Sequence, residues 1–357
     1  MVEKIDRFNV AWLALTYKCN NKCIWCYAGS NFYKLMKDKV FNKDKEDDVI
    51  KLIKDLGVNK IILIGGEPTL YSNLDNLIRK IIKKNINCSL VTNGRRLSKN
   101  DYIKSLRDSG LNSISISIEG SNDNIHDEIT KVRGSFNDSV SGLENALNHN
   151  VIVSTNTVIA TRNINDLINI VERFKDYKLY SNGFNVCGPC VGKEDNNQYM
   201  VRLQEAINAF EKVYLHAKKL NIKTKLVTPM PFCNFDINLL KELKTNKAIG
   251  GTPCQLSHGK NFIIDYNGDI IPCTHLSGYS YFNIFDNGNI LNKADFIEKF
   301  NSSNALKFRE IASHYASYKC DGCREKHCTG GCPVFYTKFN PNEEIKGQEM
   351  SINTINS

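Results

Sequence analysis

The sequence predicts an α/β fold, a parallel sheet built from six βα repeats and followed by a smaller cysteine-rich region. Three observations carry this. Apolar, β-branched runs alternate with helix-period stretches about every 30 residues, from residue 10 to about 190. Crossovers of that length join parallel strands with right-handed connections, in a sheet that is open or closed into a barrel. The 13 cysteines are clustered, three near residue 20 and six between 254 and 332, and the periodicity breaks down where the second group begins.

In chain order the strand candidates are VAWLALTY, KIILIG, CSLVT, SISISI, VSTNTVI and GFNVC. Between them lie the helix candidates DDVIKLIKDLG, NLDNLIRKIIKK, DYIKSLRDSG, SVSGLENALNH and INDLINIVERF. The endings DLG and DSG place a glycine where a helix C-cap turns left-handed. In sheets of this kind, active sites gather at the carboxyl ends of the strands. A long helical stretch over roughly 197–220 leads into VTPMPFCNF, a connector with two prolines. The segment KNFIIDYNGDIIPC reads as a hairpin turning at Asn267-Gly268. The expected organisation is a core over 1–235, a cysteine-rich domain over 236–340 and a polar tail over 341–357.

Composition narrows the function classes. With 357 residues, 41% hydrophobic and 24% charged, the chain reads as a globular protein with a large core. No 18-residue apolar run and no signal-peptide core is present, so a cytoplasmic, membrane-free protein is expected. The net charge of +9 is spread over mixed-sign segments such as KLMKDK and KDKED. No basic block is interleaved with aromatics, so nucleic acid is not an expected partner. Thirteen cysteines without an export signal point to metal ligation rather than disulfides.

The segment YKCNNKCIWCYAGS follows the first strand and sets Cys19, Cys23 and Cys26 close together. Three thiolates can hold three irons of a [4Fe–4S] cluster and leave the fourth iron open. A closed zinc site would want a fourth Cys or His nearby. Gly65-Gly66-Glu67-Pro68 ends the second strand, where paired glycines permit close backbone approach and Glu67 adds an anionic acceptor. Strand ends three to five supply Thr92-Asn93, then Ser117 and Glu119, then Asn156. Each of these polar residues also reads as an ordinary satisfied group at a strand end.

In the order strand, cysteine triplet, helix, strand and GGEP, the chain resembles the radical S-adenosylmethionine (SAM) superfamily. That family's signature has an aromatic before the last cysteine, here Trp25, and Tyr27 follows Cys26. The resemblance implies a partial (β/α)6 TIM-like barrel, with SAM on the open iron and its methionyl ammonium held by the GGEP segment. It implies SAM contacts from Trp25, Tyr27, Gly65, Gly66, Glu67, Pro68, Thr92, Asn93, Ser117, Glu119 and Asn156. Glu119 stands where the family usually has Asp. His126-Asp127 and Arg133-Gly134-Ser135-Phe136 resemble the fourth βα loop of peptide- and protein-modifying members, and Arg133 would face a SAM or substrate carboxylate. The implied reaction is reductive cleavage of SAM to a 5′-deoxyadenosyl radical, which abstracts hydrogen from an unactivated carbon.

Further along, Cys254 and then Gly268 and Cys273 precede Cys320-x2-Cys323-x4-Cys328-x3-Cys332. By spacing alone this fits zinc or iron–sulfur ligation. It resembles the SPASM extension, which carries auxiliary [4Fe–4S] clusters. The resemblance assigns Cys254, Cys273 and Cys332 to the cluster nearer the active site, and Cys320, Cys323 and Cys328 to the distal one. The family often has another cysteine soon after the first, where Ser257-His258-Gly259-Lys260 stands here, and usually a last cysteine after the dense run. Each cluster therefore shows three thiols, with an open iron or with His258, His275, His327 or Glu325 as fourth ligand. A single auxiliary cluster on Cys254, Cys273, Cys320 and Cys323 is the other arrangement.

Cys187 and Cys190 end the sixth strand, where they could donate hydrogen to a substrate radical, ligate a cluster, or fill space as small hydrophobes. Cys88 reads as core, and Cys233 takes no role from its context. The function implied by the resemblance is a peptide- or protein-modifying oxidoreductase, a maturase of a ribosomally made peptide that cross-links, oxidises or epimerises. Its expected partners are the peptide and a flavodoxin- or ferredoxin-type electron donor. A first strand near residue 9 leaves no room for an N-terminal recognition domain, so a separate leader-recognition protein or the barrel's edge strand would capture the leader. The alternatives are a formylglycine maturase of the sulfatase type, a small-molecule radical dehydrogenase or epimerase, and a non-catalytic iron–sulfur redox scaffold.

Overall fold

The computed structural model describes residues 4–27, 39–189, 194–249, 254, 259–276, 278–313, 317–323, 325, 328 and 330–347. Six parallel strands form where the sequence places them: β1 (Val10–Ala14), β2 (Lys60–Ile64), β3 (Asn87–Thr92), β4 (Ser113–Ser117), β5 (Ile152–Ile159) and β6 (Ser181–Val186). A seventh parallel strand, β7 (Thr224–Leu226), extends the run beyond β6. At the other edge, β8 (Asn261–Ile264) pairs in parallel with β1, and β9 (Asp269–Ile271) and β10 (Phe282–Asn283) follow antiparallel. The ten strands run in the order β10-β9-β8-β1-β2-β3-β4-β5-β6-β7, the open sheet of a partial barrel. Strands β11 (Phe285–Asp286) and β12 (Asn289–Ile290) make a separate small ribbon.

Alternation sorts each strand's side chains between two layers. Ala11 and Leu13 of β1 and Ile61 and Leu63 of β2 are fully buried under the helices. The opposite face carries a separate cluster of Ala14, Ile64, Ile263 and Ile271, with Trp12, Ile62 and Val91 packed against it. The first three helices on the outer face are α1 (Glu46–Asp55), α2 (Leu74–Lys83) and α3 (Asn100–Asp108). In α2 the residues Leu74, Leu77, Ile78 and Ile81 make one buried stripe at helical spacing. Each such side chain contributes about 2 kcal/mol on burial.

Helix α4 (Asp123–Thr130) follows β4 where the sequence reading has no helix. Its start is nonetheless encoded, since the Asn122 side chain accepts from the Ile125 N–H at 3.1 Å, an N-cap. Helices α5 (Ser135–Asn148), α6 (Leu167–Arg173) and α7 (Leu203–Lys219) complete the crossovers. After α8 (Ile237–Thr245), the hairpin forms at the expected turn, with Asp265 N–H donating to Asp269 and Gly268 at φ 91°. It does not stand apart, because β8 continues the core sheet through β1.

Two further helices, α9 (Lys293–Phe300) and α10 (Ser303–Ser313), lie in the stretch without periodicity. An aromatic cluster holds α9 to the start of the chain. Phe8 meets Phe262, Phe296 and Phe300 edge-on at 5.1, 5.5 and 5.0 Å between ring centroids. Among the described residues, no helix is long and apolar enough to cross a membrane.

Candidate functional site

The chain leaves β1 and runs directly beneath the loop that leaves β2. Gly66 N–H donates to the Thr16 carbonyl at 2.7 Å, and Glu67 N–H to the Lys18 carbonyl at 2.8 Å. The approach is too close for side chains. A Cβ on Gly65 would stand 2.3 Å from the Thr16 carbonyl oxygen, and one on Gly66 would stand 2.5 Å from that of Lys18. The glycine pair is therefore what lets the cysteine loop lie against the GGEP loop.

Two other loops clamp the same segment. The Arg95 guanidinium donates to the Asn20 carbonyl at 2.6 Å and to Asn21 Oδ1 at 3.2 Å, and pairs with Asp138 at 3.0 Å. From the end of α4, the Thr130 and Ile129 carbonyls accept from Lys22 and Ile24 at 2.8 and 3.0 Å. The Asn196 side chain holds the Trp25 carbonyl at 3.1 Å. Arg95 and Asn196 lie outside the family motifs, and no sequence signal distinguishes them from surface polar residues.

A cavity of about 360 Å3 opens at the carboxyl ends of the strands. Cys19, Cys23, Trp25, Cys26 and Tyr27 line one side, with Gly65 and Gly66. Thr92, Asn93, Ser117, Glu119, Asn156 and Cys187 line the strand-end side. The Tyr27 hydroxyl donates to the Gly65 carbonyl at 3.0 Å. The Cys19 sulfur accepts from the Asn21 N–H at 3.3 Å. Asn156 Oδ1 accepts from the Asn185 side chain at 2.6 Å, which brings Asn185 into the wall.

Glu67 faces elsewhere, a correction to its expected role as acceptor for a bound ammonium. It is fully buried behind the cavity. Its carboxylate accepts from Thr69 N–H (3.0 Å), Thr69 Oγ1 (2.6 Å), Thr92 Oγ1 (2.6 Å) and Asn93 N–H (2.8 Å). Burial pushes its carboxyl up while these four donors pull it down. Glu67 thus braces Thr92 and Asn93 from behind. Replacing it by alanine strands buried donors, so Glu67→Ala should cost about 3 kcal/mol of stability. Anaerobic urea unfolding of the metal-free chain measures this, and an unchanged midpoint would contradict the bracing role.

Pro68, next in the chain, is buried at the start of a short turn and also lies outside the lining. Arg133 is exposed and stands away from the cavity. Its neighbours Gly134, Ser135 and Phe136 instead close the start of α5, where Ser135 Oγ and Phe136 N–H each donate to Asp127 at 2.8 Å.

Two titratable groups face the cavity from the β4–α4 region. Burial pushes Glu119 up to about 8, although Val158 N–H donates to it at 3.0 Å. Burial pulls His126 down to about 4. His126 Nδ1 accepts from the Glu119 N–H at 3.1 Å, and its Nε2 meets no partner among the described residues. Burial thus disfavours charge on both groups.

The three N-terminal thiols suit a cluster. Burial pushes Cys23 well above its ordinary range, and repulsion among the thiolates of Cys19, Cys23 and Cys26 adds to it. A bound cation offsets that repulsion and makes them thiolates. Among the described residues, no three His, Cys, Asp or Glu side chains converge tightly enough for a single ion. Sulfurs sharing one zinc lie roughly 3.8 Å apart at a Zn–S distance of about 2.3 Å. Thiolates on separate irons stand farther apart.

Among the C-terminal cysteines, Cys332 packs both with Cys328 against the main core and with Cys254 and Cys273. Cys254, Cys273 and Cys332 pack around Ala312 and Val334. Cys320, Cys323 and Cys328 lie on the following loop, where burial and the neighbouring thiols push Cys320 up to about 11. His275 links Cys273 to the cavity, since its N–H donates to the Cys273 sulfur at 3.5 Å while its ring lines the cavity and meets the Pro189 carbonyl. Glu325 pairs with Lys244 at 2.6 Å. Cys88 is buried in the core, as expected. Cys190, His258 and His327 lie outside the described residues.

Comparisons with known proteins bear on this arrangement. Residues 13–174 match the family model described as the radical SAM superfamily, and residues 254–328 match that of an iron–sulfur cluster-binding domain, SPASM. GTP 3′,8-cyclase of Nautilia profundicola is 27% identical over 181 residues, covering 49% of this chain and 56% of that protein. The cyclase of Clostridium perfringens is 32% identical over 167 residues, 45% of this chain and 51% of that protein. The chain thus spans about half the length of these curated relatives. Among solved structures, Streptococcus suis SuiB bound to precursor peptide SuiA superposes with a TM-score of 0.71 at 18% identity, over 96% of this chain and 76% of that one. Native anSMEcpe with bound AdoMet gives 0.70 at 17% identity, over 90% and 89%. At these identities the likeness is one of fold.

Proposed function

This chain belongs to the radical SAM superfamily and carries a SPASM iron–sulfur domain, and from that premise we propose that it oxidatively modifies a side chain of a peptide. Its resident cofactors are [4Fe–4S] clusters and SAM, which together supply a 5′-deoxyadenosyl radical when bound. The remaining work belongs to the chain. Cys19, Cys23 and Cys26 would hold the first cluster, and Trp25, Tyr27 and the Gly65-Gly66 backbone would enclose SAM. Ser117, Asn156 and Asn185 offer the strand-end hydrogen bonds, and Glu119 is poised to ionise when a cation enters beside it.

The observation that carries this reading is the shared wall. Thr274 and His275 of the C-terminal domain, which directly follow Cys273, line the same cavity as the first cysteines. A substrate held there would lie close to Cys273, one of the thiols that would hold a second iron–sulfur centre, a group whose chemistry is one-electron transfer. We read Cys254, Cys273 and Cys332, and Cys320, Cys323 and Cys328, as the thiols of two auxiliary clusters. The apolar and amide-rich lining suits a peptide side chain. Among the described lining residues none is Lys or Arg, the groups that a triphosphate recruits. The SuiB–SuiA complex offers a precedent for a peptide in this fold. The remaining needs are a one-electron donor of the flavodoxin or ferredoxin type and, for the leader, a recognition partner.

Reconstituted anaerobically with dithionite and SAM, the protein should form 5′-deoxyadenosine. Short peptides encoded beside its gene should stimulate this several-fold and lose two hydrogen atoms by mass. Stimulation by GTP instead, with a cyclised nucleotide product, would overturn the peptide reading.

A further inference from the structure

Cys233 has no place in the family motifs and lies outside the matched iron–sulfur segment. The fold nevertheless carries it to the segments that bear Cys320 and Cys328. It sits in a short turn, Phe232–Asn234, just before α8. The backbone N–H of its neighbour Phe232 donates to the Cys328 sulfur at 3.4 Å. The Cys233 sulfur in turn accepts from the Gly347 N–H at 3.4 Å. Gly347 lies on the residue that precedes Cys320, since a Cβ there would stand 2.9 Å from the Lys319 Cβ. The two segments are also tied laterally, with Lys244 over the Phe232 ring at 4.4 Å and paired with Glu325 at 2.6 Å. Cys233 is thus held between the backbones that present Cys320 and Cys328.

We propose that Cys233 is the fourth protein ligand of the distal auxiliary cluster, completing Cys320, Cys323 and Cys328. The proposal rests on the two-cluster reading above. Three thiols would leave one iron to another donor, and the described alternatives are committed elsewhere. Glu325 is held by Lys244, and the His275 ring faces the Pro189 carbonyl and the cavity. Four thiolates brought this close together need a bound cation to stand side by side. The N–H of Gly347 and that of Phe232 then serve as donors to ligand sulfurs, which help set a cluster's potential. Residues 333–357 contain no cysteine, and Cys233, from before the matched iron–sulfur segment, takes the fourth position. A cluster closed by four thiolates has no open iron, so it serves electron transfer and not substrate binding.

The test removes the first cluster and counts iron. The full-length C19A/C23A/C26A variant, reconstituted anaerobically, should hold about eight irons per chain, four for each auxiliary cluster. Adding Cys233→Ala should remove about half of that iron, or leave a three-iron cluster recognisable by EPR in the oxidised protein. About eight irons with an unchanged Mössbauer spectrum after Cys233→Ala would overturn the ligand assignment alone. About four irons before that substitution would overturn the two-cluster reading and this proposal with it. Alkylation of the wild-type protein guards against misfolding of the variants. Cys233 should be protected in the loaded protein and become labelled together with Cys320, Cys323 and Cys328 once iron is chelated. Labelling of Cys233 alone in the loaded protein would overturn the proposal.

Discussion

Replacing Cys19, Cys23 and Cys26 together by alanine abolishes SAM cleavage while the chain stays folded and keeps its C-terminal iron. The expected fall is to background, on the order of 10³-fold or more, against enzymatic accelerations of at least about 10⁶. The magnitude follows from the division of labour, because the side chains around the cavity orient and enclose but supply no electron. Stability should suffer little. In the metal-free chain these thiols are neutral, with Cys19 exposed and Cys23 and Cys26 only partly buried, so alanine removes little packing. The measurement is 5′-deoxyadenosine formed under dithionite, with iron content and thermal unfolding of the metal-free chains in parallel. Substantial cleavage by the triple variant would mean that the radical chemistry is not seated on these thiols.

The second large effect comes from a single methyl group. In Gly66→Ala the new Cβ would meet the Lys18 and Tyr17 carbonyl oxygens at 2.5 and 2.6 Å. Both are backbone atoms, and the hydrogen bonds from Gly66 to Thr16 and from Glu67 to Lys18 keep them from yielding. The loop carrying Cys19 must therefore move. We expect a loss of about four irons per chain, one cluster's worth, together with loss of SAM cleavage and at least about 3 kcal/mol of stability. Gly134→Ala is the informative contrast. It sits at φ +84° with nothing within 4 Å of a built Cβ, so it should cost only about 1–2 kcal/mol and spare the iron. Equal iron content in the two variants would show that the contact of the two loops does not position the thiols.

Much of this was legible in the chain itself. The six parallel strands were readable because each βα unit repeats a local pattern that contains its own partners in sequence. Alternation of Ala11 and Leu13 with Val10 and Trp12 in β1 already separates the helix face from the cavity face. The cysteine triplet and the glycine pair were readable for the same reason, as each lies at a strand end within a few residues. Strand β7 was not, since three residues with Lys225 at the centre carry almost no pattern. The pairing of β8 with β1 was not either, because a hairpin looks the same in sequence whether its edge is free or docked.

By itself, then, the sequence determined the barrel's strands, the clustering of the N-terminal thiols and the presence of a second cysteine-rich region. Tertiary structure alone decided three matters: that Glu67 turns away from the cavity to brace Thr92 and Asn93, that His275 joins the C-terminal cysteines to the active-site wall, and that Cys233 stands beside Cys320 and Cys328. The physical reason is common to all three. Spacing along a chain reports contacts made within one strand–helix unit, whereas these join residues from 25 to about 250 positions apart, whose meeting depends on how whole elements pack.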